Sequence, residues 1–166
     1  MRGLGRSRDR QRGQSLLEFA LVMPLAVLLL IAVFDVGRAV YGASAVGNAS
    51  RMGGRTAVVN QTGIDIRQRA ADQATALGIT AAVVACNASN VPTTTNGTCI
   101  QFKTADLTAD CTLLSVGCVA VVTTKWTFTP ITPLLGQFIG NVALTSTTEI
   151  PIEAVCNTAY PACPKP

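Results

Sequence analysis

The chain has 166 residues, 49% of them hydrophobic but only 5% aromatic, so any core must be built from Ala, Val, Leu and Ile. Its net charge of +4 is local: Arg2, Arg6, Arg8, Arg10 and Arg12 against Asp9 account for it, and the remainder is neutral. A nucleic-acid binder spreads basic residues over a folded face. A short basic tail ahead of a hydrophobic run points away from nucleic acid and toward a membrane.

Residues 1–13 read as a basic, disordered leader. Residues 16–34 follow with Glu18 as the single charge and Pro24 as the single proline. As a helix this run reaches roughly 28 Å at 1.5 Å per residue, close to the hydrocarbon core of about 30 Å. Arginines stay on the cytoplasmic side. The expected plan is therefore a leader (1–13), the transmembrane half of a long helix (14–35) and an exported domain (36–166).

The helical pattern continues to about residue 58 but turns to small residues after Asp35. The pairs Ala39/Ala43, Ala43/Gly47 and Ala45/Ala49 are four apart and share a face, and small residues at this spacing let another backbone come close. Packing on the protein's own sheet and packing between copies both use that feature. Asp35 and Arg38, three apart, are placed to pair at the outer membrane surface. A second helix is expected over 65–77 with Ala70, Ala71, Ala74 and Leu77 buried. Residues 87–97 form a loop rich in Asn, Thr and Ser. Strands are expected over 100–103, 118–128 and 142–152. In the second, Ala120, Val122, Thr124, Trp126 and Phe128 point one way and Thr123, Lys125 and Thr127 the other. This alternation is that of a half-buried antiparallel sheet, and with the long helix it makes an α+β fold. The link 130–140 is unusually apolar. Leu134, Leu135, Phe138 and Ile139 either cap the sheet or form a surface for a partner.

Six cysteines, Cys86, Cys99, Cys111, Cys118, Cys156 and Cys163, all follow the apolar run, which suggests disulfides in an oxidising compartment. Turn residues between neighbours favour Cys86–Cys99, Cys111–Cys118 and Cys156–Cys163. With no histidine there is no Ser-His or Cys-His pair. The acids beyond the membrane are few, and no Gly-rich phosphate loop is present. The sequence predicts no enzyme, no cofactor and no metal site. Asn48, Asn60, Asn87 and Asn96 each open an N-x-[ST] triplet, which is frequent by chance in Ser/Thr-rich sequence.

The stretch R-G-Q-S-L-L-E-F-A-L-V-M-P (12–24), then F-D-V-G-R-A-V-Y (34–41) and N-A-S-R-M-G-G-R (48–55), resembles the TadE/TadG family of tight-adherence pilus proteins. Ser50 and Gly54 stand where the family pattern has alanines. The resemblance implies a pilin-like α+β fold and a minor pilin or pseudopilin in a tight-adherence, type IV-like pilus. It implies cleavage by a prepilin peptidase between Gly13 and Gln14, which makes Glu18 the fifth mature residue. The implied partners are other pilin subunits, met through the N-terminal helix, the peptidase, and an inner-membrane assembly platform. The implied location is the bacterial inner membrane, single pass, with the N-terminus cytoplasmic and the C-terminal domain periplasmic, or the extracellular pilus itself. Glu18 would then meet the new amino terminus of a neighbouring subunit and set its register, a role that cyclisation of Gln14 would weaken. Otherwise it faces lipid headgroups. Pro24 cannot bond the Ala20 carbonyl. It either eases exit from the membrane or is a tolerated kink. The competing expectation is a secreted or membrane-anchored binding domain with an ordinary export signal, cut after Ala43-Ser44-Ala45.

Overall fold

The computed structural model describes residues 7–111, 116–153 and 155. Helix α1 is Ser7–Val59, α2 is Gly63–Gln73, and a 3-10 turn covers Thr75–Leu77. Strands β1 (Gly97–Lys103) and β2 (Val119–Phe128) follow, then α3 (Pro133–Ile139) and β3 (Val142–Pro151). The sheet is an antiparallel meander in the order β1-β2-β3. The α+β expectation therefore holds: one long helix, a second helix and a small antiparallel sheet.

The chain forms two compact units. One runs through Arg38 and includes Pro130–Gly140; the other is Ala39–Thr129 with the chain from Asn141 onward.

In the second unit, α1 presents two ridges of small residues. Ala45, Ala49, Gly53 and Ala57 form one, and Gly42, Val46, Ser50 and Gly54 the other, all buried. Each ridge repeats every four residues, so it stays on one face. The helix packs on the sheet through them: a methyl group added to Gly53 would meet Val122, and one added to Gly54 would meet Thr148 and Ile150. Ala43, by contrast, is exposed, and Gly47 has open space beside it. Of the expected small pairs only Ala45/Ala49 is buried. Ala39 and Gly47 are half-buried and Ala43 is exposed.

The core has two parts. Ala45, Val46 and Ala49 of α1 meet Ala70, Ala71, Ala74, Leu77 and Ile79, with Trp126 packed against them. Ala57 and Ile66 meet Cys118, Ala120, Val122 and Ile152. The expected buried face of the second helix is correct, but α2 ends at Gln73. Ala74 leaves helical geometry, and Gly78, at φ 71, closes the 3-10 turn in a conformation that favours glycine.

Both outer strands are longer or better tied than the alternation alone indicates. β1 begins at Gly97, and Thr98 and Thr124, directly opposed, share a buried hydroxyl bond of 3.0 Å. Thr123 and Thr147 share a half-buried hydroxyl bond of the same length across β2 and β3. Thr123 was expected to face outward, yet it is buried, as are Cys99 beside it and Val121. Cys99 is bonded to Cys86, and the side of Gly97 on this face lies against Val84 and Thr94. The loop ahead of β1 therefore folds over the sheet's outer face. Asn87 and Asn96 serve this loop, accepting bonds from Ser89, Val91 and Thr127 amides.

Residues 7–13 are helical rather than disordered, since α1 starts at Ser7. Arg and Gln are good helix formers, and a helix already nucleated by the apolar run extends at little cost.

Candidate functional site

The residues singled out at the N-terminal end of α1 lie on one continuous helix. Gly13 is inside it, so its peptide bond to Gln14 is helical in the folded chain. Gln14 and Glu18 are one turn apart on one face, and the Gln14 side-chain amide donates to Glu18 Oε1 at 3.4 Å. Glu18 is exposed among exposed apolar neighbours such as Leu17, 68% exposed, and Phe19, 62%. Pro24 sits in the helix interior without ending it. It lines an apolar groove of about 620 Å³ with Phe19, Met23, Val27, Ile31 and Thr132.

Thr132 belongs to the connector between β2 and β3, and Asp35 holds it there. The Asp35 carboxylate accepts the Ile131 amide at 3.0 and 3.1 Å, the Thr132 amide at 2.8 Å and the Thr132 hydroxyl at 2.7 Å. Arg38 adds a weaker contact, Nη1 to Oδ1 at 3.3 Å. Asp35 is 2% exposed. A buried carboxylate with this many donors is satisfied as a charge. The expected Asp35–Arg38 pair exists, but it is the lesser part of a latch between residues 96 and 97 apart in sequence. Thr132 followed by Pro133 is a helix-start signal in the sequence, and α3 does start there, with Thr132 as its N-cap. The acceptor that fixes it is too distant in sequence for local reading to find.

The connector's two last apolar residues are left uncovered. Phe138 is 85% exposed and Ile139 is exposed as well. The expectations for the Leu134 and Leu135 side chains lie outside what the structure describes.

Two expected disulfides are present, Cys86–Cys99 and Cys111–Cys118, with Cα–Cα separations of 5.4 and 6.1 Å. Cys156 and Cys163 lie outside the described residues. Among the acids, Asp110 pairs with Lys103 at 2.7 Å. Asp106 binds the hydroxyls of Thr104 and Thr108, whose hydrogen bonds lower its carboxyl to about 2. No cluster of metal-binding side chains occurs among the described residues.

By its fold this is an α+β protein headed by a helix long and apolar enough to cross a membrane. In sequence, residues 13–55 of that head match the family described as TadE-like protein. No curated protein and no solved structure matches the chain. The matched segment ends inside α1 and covers the α1 side of the groove, Asp35 and both ridges up to Gly54. Ser50 and Gly54, the two departures from the alanine pattern, are explained by this protein's own sheet. Ser50 Oγ bonds Ser146 Oγ at 2.9 Å and accepts from Thr148 Oγ1 at 3.1 Å. An added Cβ at Gly54 would lie 2.8 Å from Thr148 Cγ2.

Proposed function

We propose that the chain is a minor pilin or pseudopilin that takes part in assembling a tight-adherence pilus. Residues 16–34 anchor it in the bacterial inner membrane, with the basic leader in the cytoplasm and the cysteine-containing domain in the periplasm. A prepilin peptidase cuts between Gly13 and Gln14. Partner subunits pack along α1, and Glu18 receives the new amino terminus of a neighbour. Its role is assembly rather than catalysis. The observation that carries this reading is that the TadE-like match begins at Gly13, where the basic leader ends. The exposure of both Gln14 and Glu18 supports it further, because the mature terminus and the acid are then open to a neighbouring subunit.

The competing export-signal reading requires a cut after Ala45. That residue is 6% exposed in the core shared with α2. Cutting there would remove the Asp35 latch and the Gly42 surface against which Trp126 rests. The folded domain therefore favours keeping α1 from Gln14 onward.

The test is the mature N-terminus of the protein from its native membrane. Gln14 is expected. Gly13→Leu should leave the leader attached, because a peptidase needs an extended chain with little side-chain hindrance at the cut. Processing of that variant at the normal rate would refute the cleavage assignment. Glu18→Ala should be cleaved and inserted yet be poorly incorporated into pili. Unchanged piliation would refute the registering role and leave Glu18 to the headgroups.

A further inference from the structure

The Asp35 latch has a consequence for the connector that the pilin reading does not use. Between Lys125 and Glu149 the sequence contains no charged residue. The connector within this stretch is fixed to the first charged residue after the apolar run of α1, the point at which the helix would leave hydrocarbon. It also shares a compact unit with that run. Thr132 lines the same groove as Phe19, Met23, Val27 and Ile31, all residues of the run. Thr132, bonded to Asp35 and lining that groove, sets the start of the connector at the outer edge of the run, one turn from Ile31. The connector's own outward side chains agree: Ile131 is 66% exposed, Phe138 85% and Ile139 58%. Val33 and Phe34, the last residues of the run, are exposed as well. The backbone is suited to the same place. Residues 133–139 are helical, so most of their amides are paired internally, and the amides of Ile131 and Thr132 are taken by Asp35. An apolar environment tolerates only backbone satisfied in this way.

We propose that residues 130–140 form a second lipid-contacting element, seated in the leaflet where α1 leaves the membrane and held there by Asp35. The occupant of its exposed face is the bilayer. The proposal rests on residues 16–34 spanning the membrane.

The test uses the full chain in phosphatidylethanolamine/phosphatidylglycerol vesicles with brominated acyl chains. Trp126 is the single tryptophan and gives the baseline. Phe138→Trp adds a reporter on the connector, Ile131→Trp a second one should the first variant misfold, and Leu29→Trp a reference inside the run. The connector tryptophans should be quenched by bromines placed near the headgroups, approaching the extent seen for the Leu29 reporter, and should be shielded from aqueous iodide. Connector reporters open to iodide and indifferent to bromine, with the Leu29 reporter quenched, would overturn the proposal alone. Failure of the wild-type chain to float with vesicles would overturn the membrane span as well. Shielding from both quenchers that disappears as protein is diluted into lipid would identify a second copy as the occupant, and that too would overturn it.

Discussion

Gly42 and Gly47 are five residues apart on α1 and meet opposite surroundings, so one substitution made at both sites tests the packing directly. A Cβ at Gly42 would fall 2.7 Å from Trp126 Cε3 and 3.2 Å from Cη2, with Cζ3 nearer still. Carbon atoms pack at about 3.5–4 Å, so the indole must retreat by roughly 1 Å. The ring is packed against the Ala45–Val46–Ala49 cluster and lies 5.9 Å from the Phe128 ring, tilted. Forcing it aside costs about 2–3 kcal/mol, the upper part of the usual overpacking range, because the clash is with a packed ring. Replacing a helical glycine by alanine returns about 1 kcal/mol. Gly42→Ala should therefore destabilise by about 1–2 kcal/mol. Gly47 has nothing within 4 Å, so Gly47→Ala should keep the gain and stabilise by about 0.5–1 kcal/mol. Thermal unfolding of the full chain in detergent, followed by far-ultraviolet circular dichroism and Trp126 fluorescence, reads both. At roughly 3–5 °C per kcal/mol for a domain of this size, the two variants should move Tm in opposite directions and differ by about 5–15 °C. The Gly42 variant should also change the Trp126 emission. If Gly42→Ala proved as stable as Gly47→Ala, with unaltered emission, the close approach of α1 to Trp126 would be refuted.

Ser50→Ala removes the hydroxyl that joins α1 to Ser146 and Thr148, and should cost about 1 kcal/mol, read as a lower Tm. An equal or higher Tm would mean that the β3 hydroxyls find other partners at no cost. Asp35→Ala should speed hydrogen exchange at the amides of Ile131 and Thr132 while leaving the β1–β2 ladder protected; uniform acceleration would instead make Asp35 a global stabiliser. Asp106 is a depressed carboxylate, so its contribution to the 104–110 turn is full above the unfolded value near 4 and is lost as pH falls through about 2. Carboxyl chemical shifts followed from pH 5 to pH 1.5 should show that midpoint, and a midpoint near 4 would mean the Thr104 and Thr108 hydroxyls do not hold the charge.

Much of this fold can be read locally. Strand alternation places β2 and β3 within a residue or two, and the buried face of α2 follows from helical spacing. The two described disulfides join cysteines separated by turn residues. What escapes local reading depends on distant partners. Small residues occur all round α1 after Asp35, so spacing alone cannot say which of them face the sheet. That is decided by where Trp126, Thr148 and Ile150 sit. Thr123 looks like an outward residue of a half-buried sheet and is covered because Cys86–Cys99 draws a loop across it. Asp35 looks like one half of a helical ion pair, and its main donors come from the connector between β2 and β3. In the candidate site, Gly13, Gln14, Glu18 and Pro24 are legible as a motif, whereas the Asp35 latch farther along α1 is not.

The disulfide order along the chain bears on how the domain matures. Cys86 meets Cys99 after 13 residues and Cys111 meets Cys118 after 7, so neither bond has to wait for a later cysteine. A chain delivered from its N-terminus exposes each pair complete before the next begins. A thiol oxidant that joins whichever cysteines have most recently emerged therefore makes these two native bonds directly. No mixed pairing has to be undone by thiol–disulfide exchange, so an oxidant without an isomerase suffices for both.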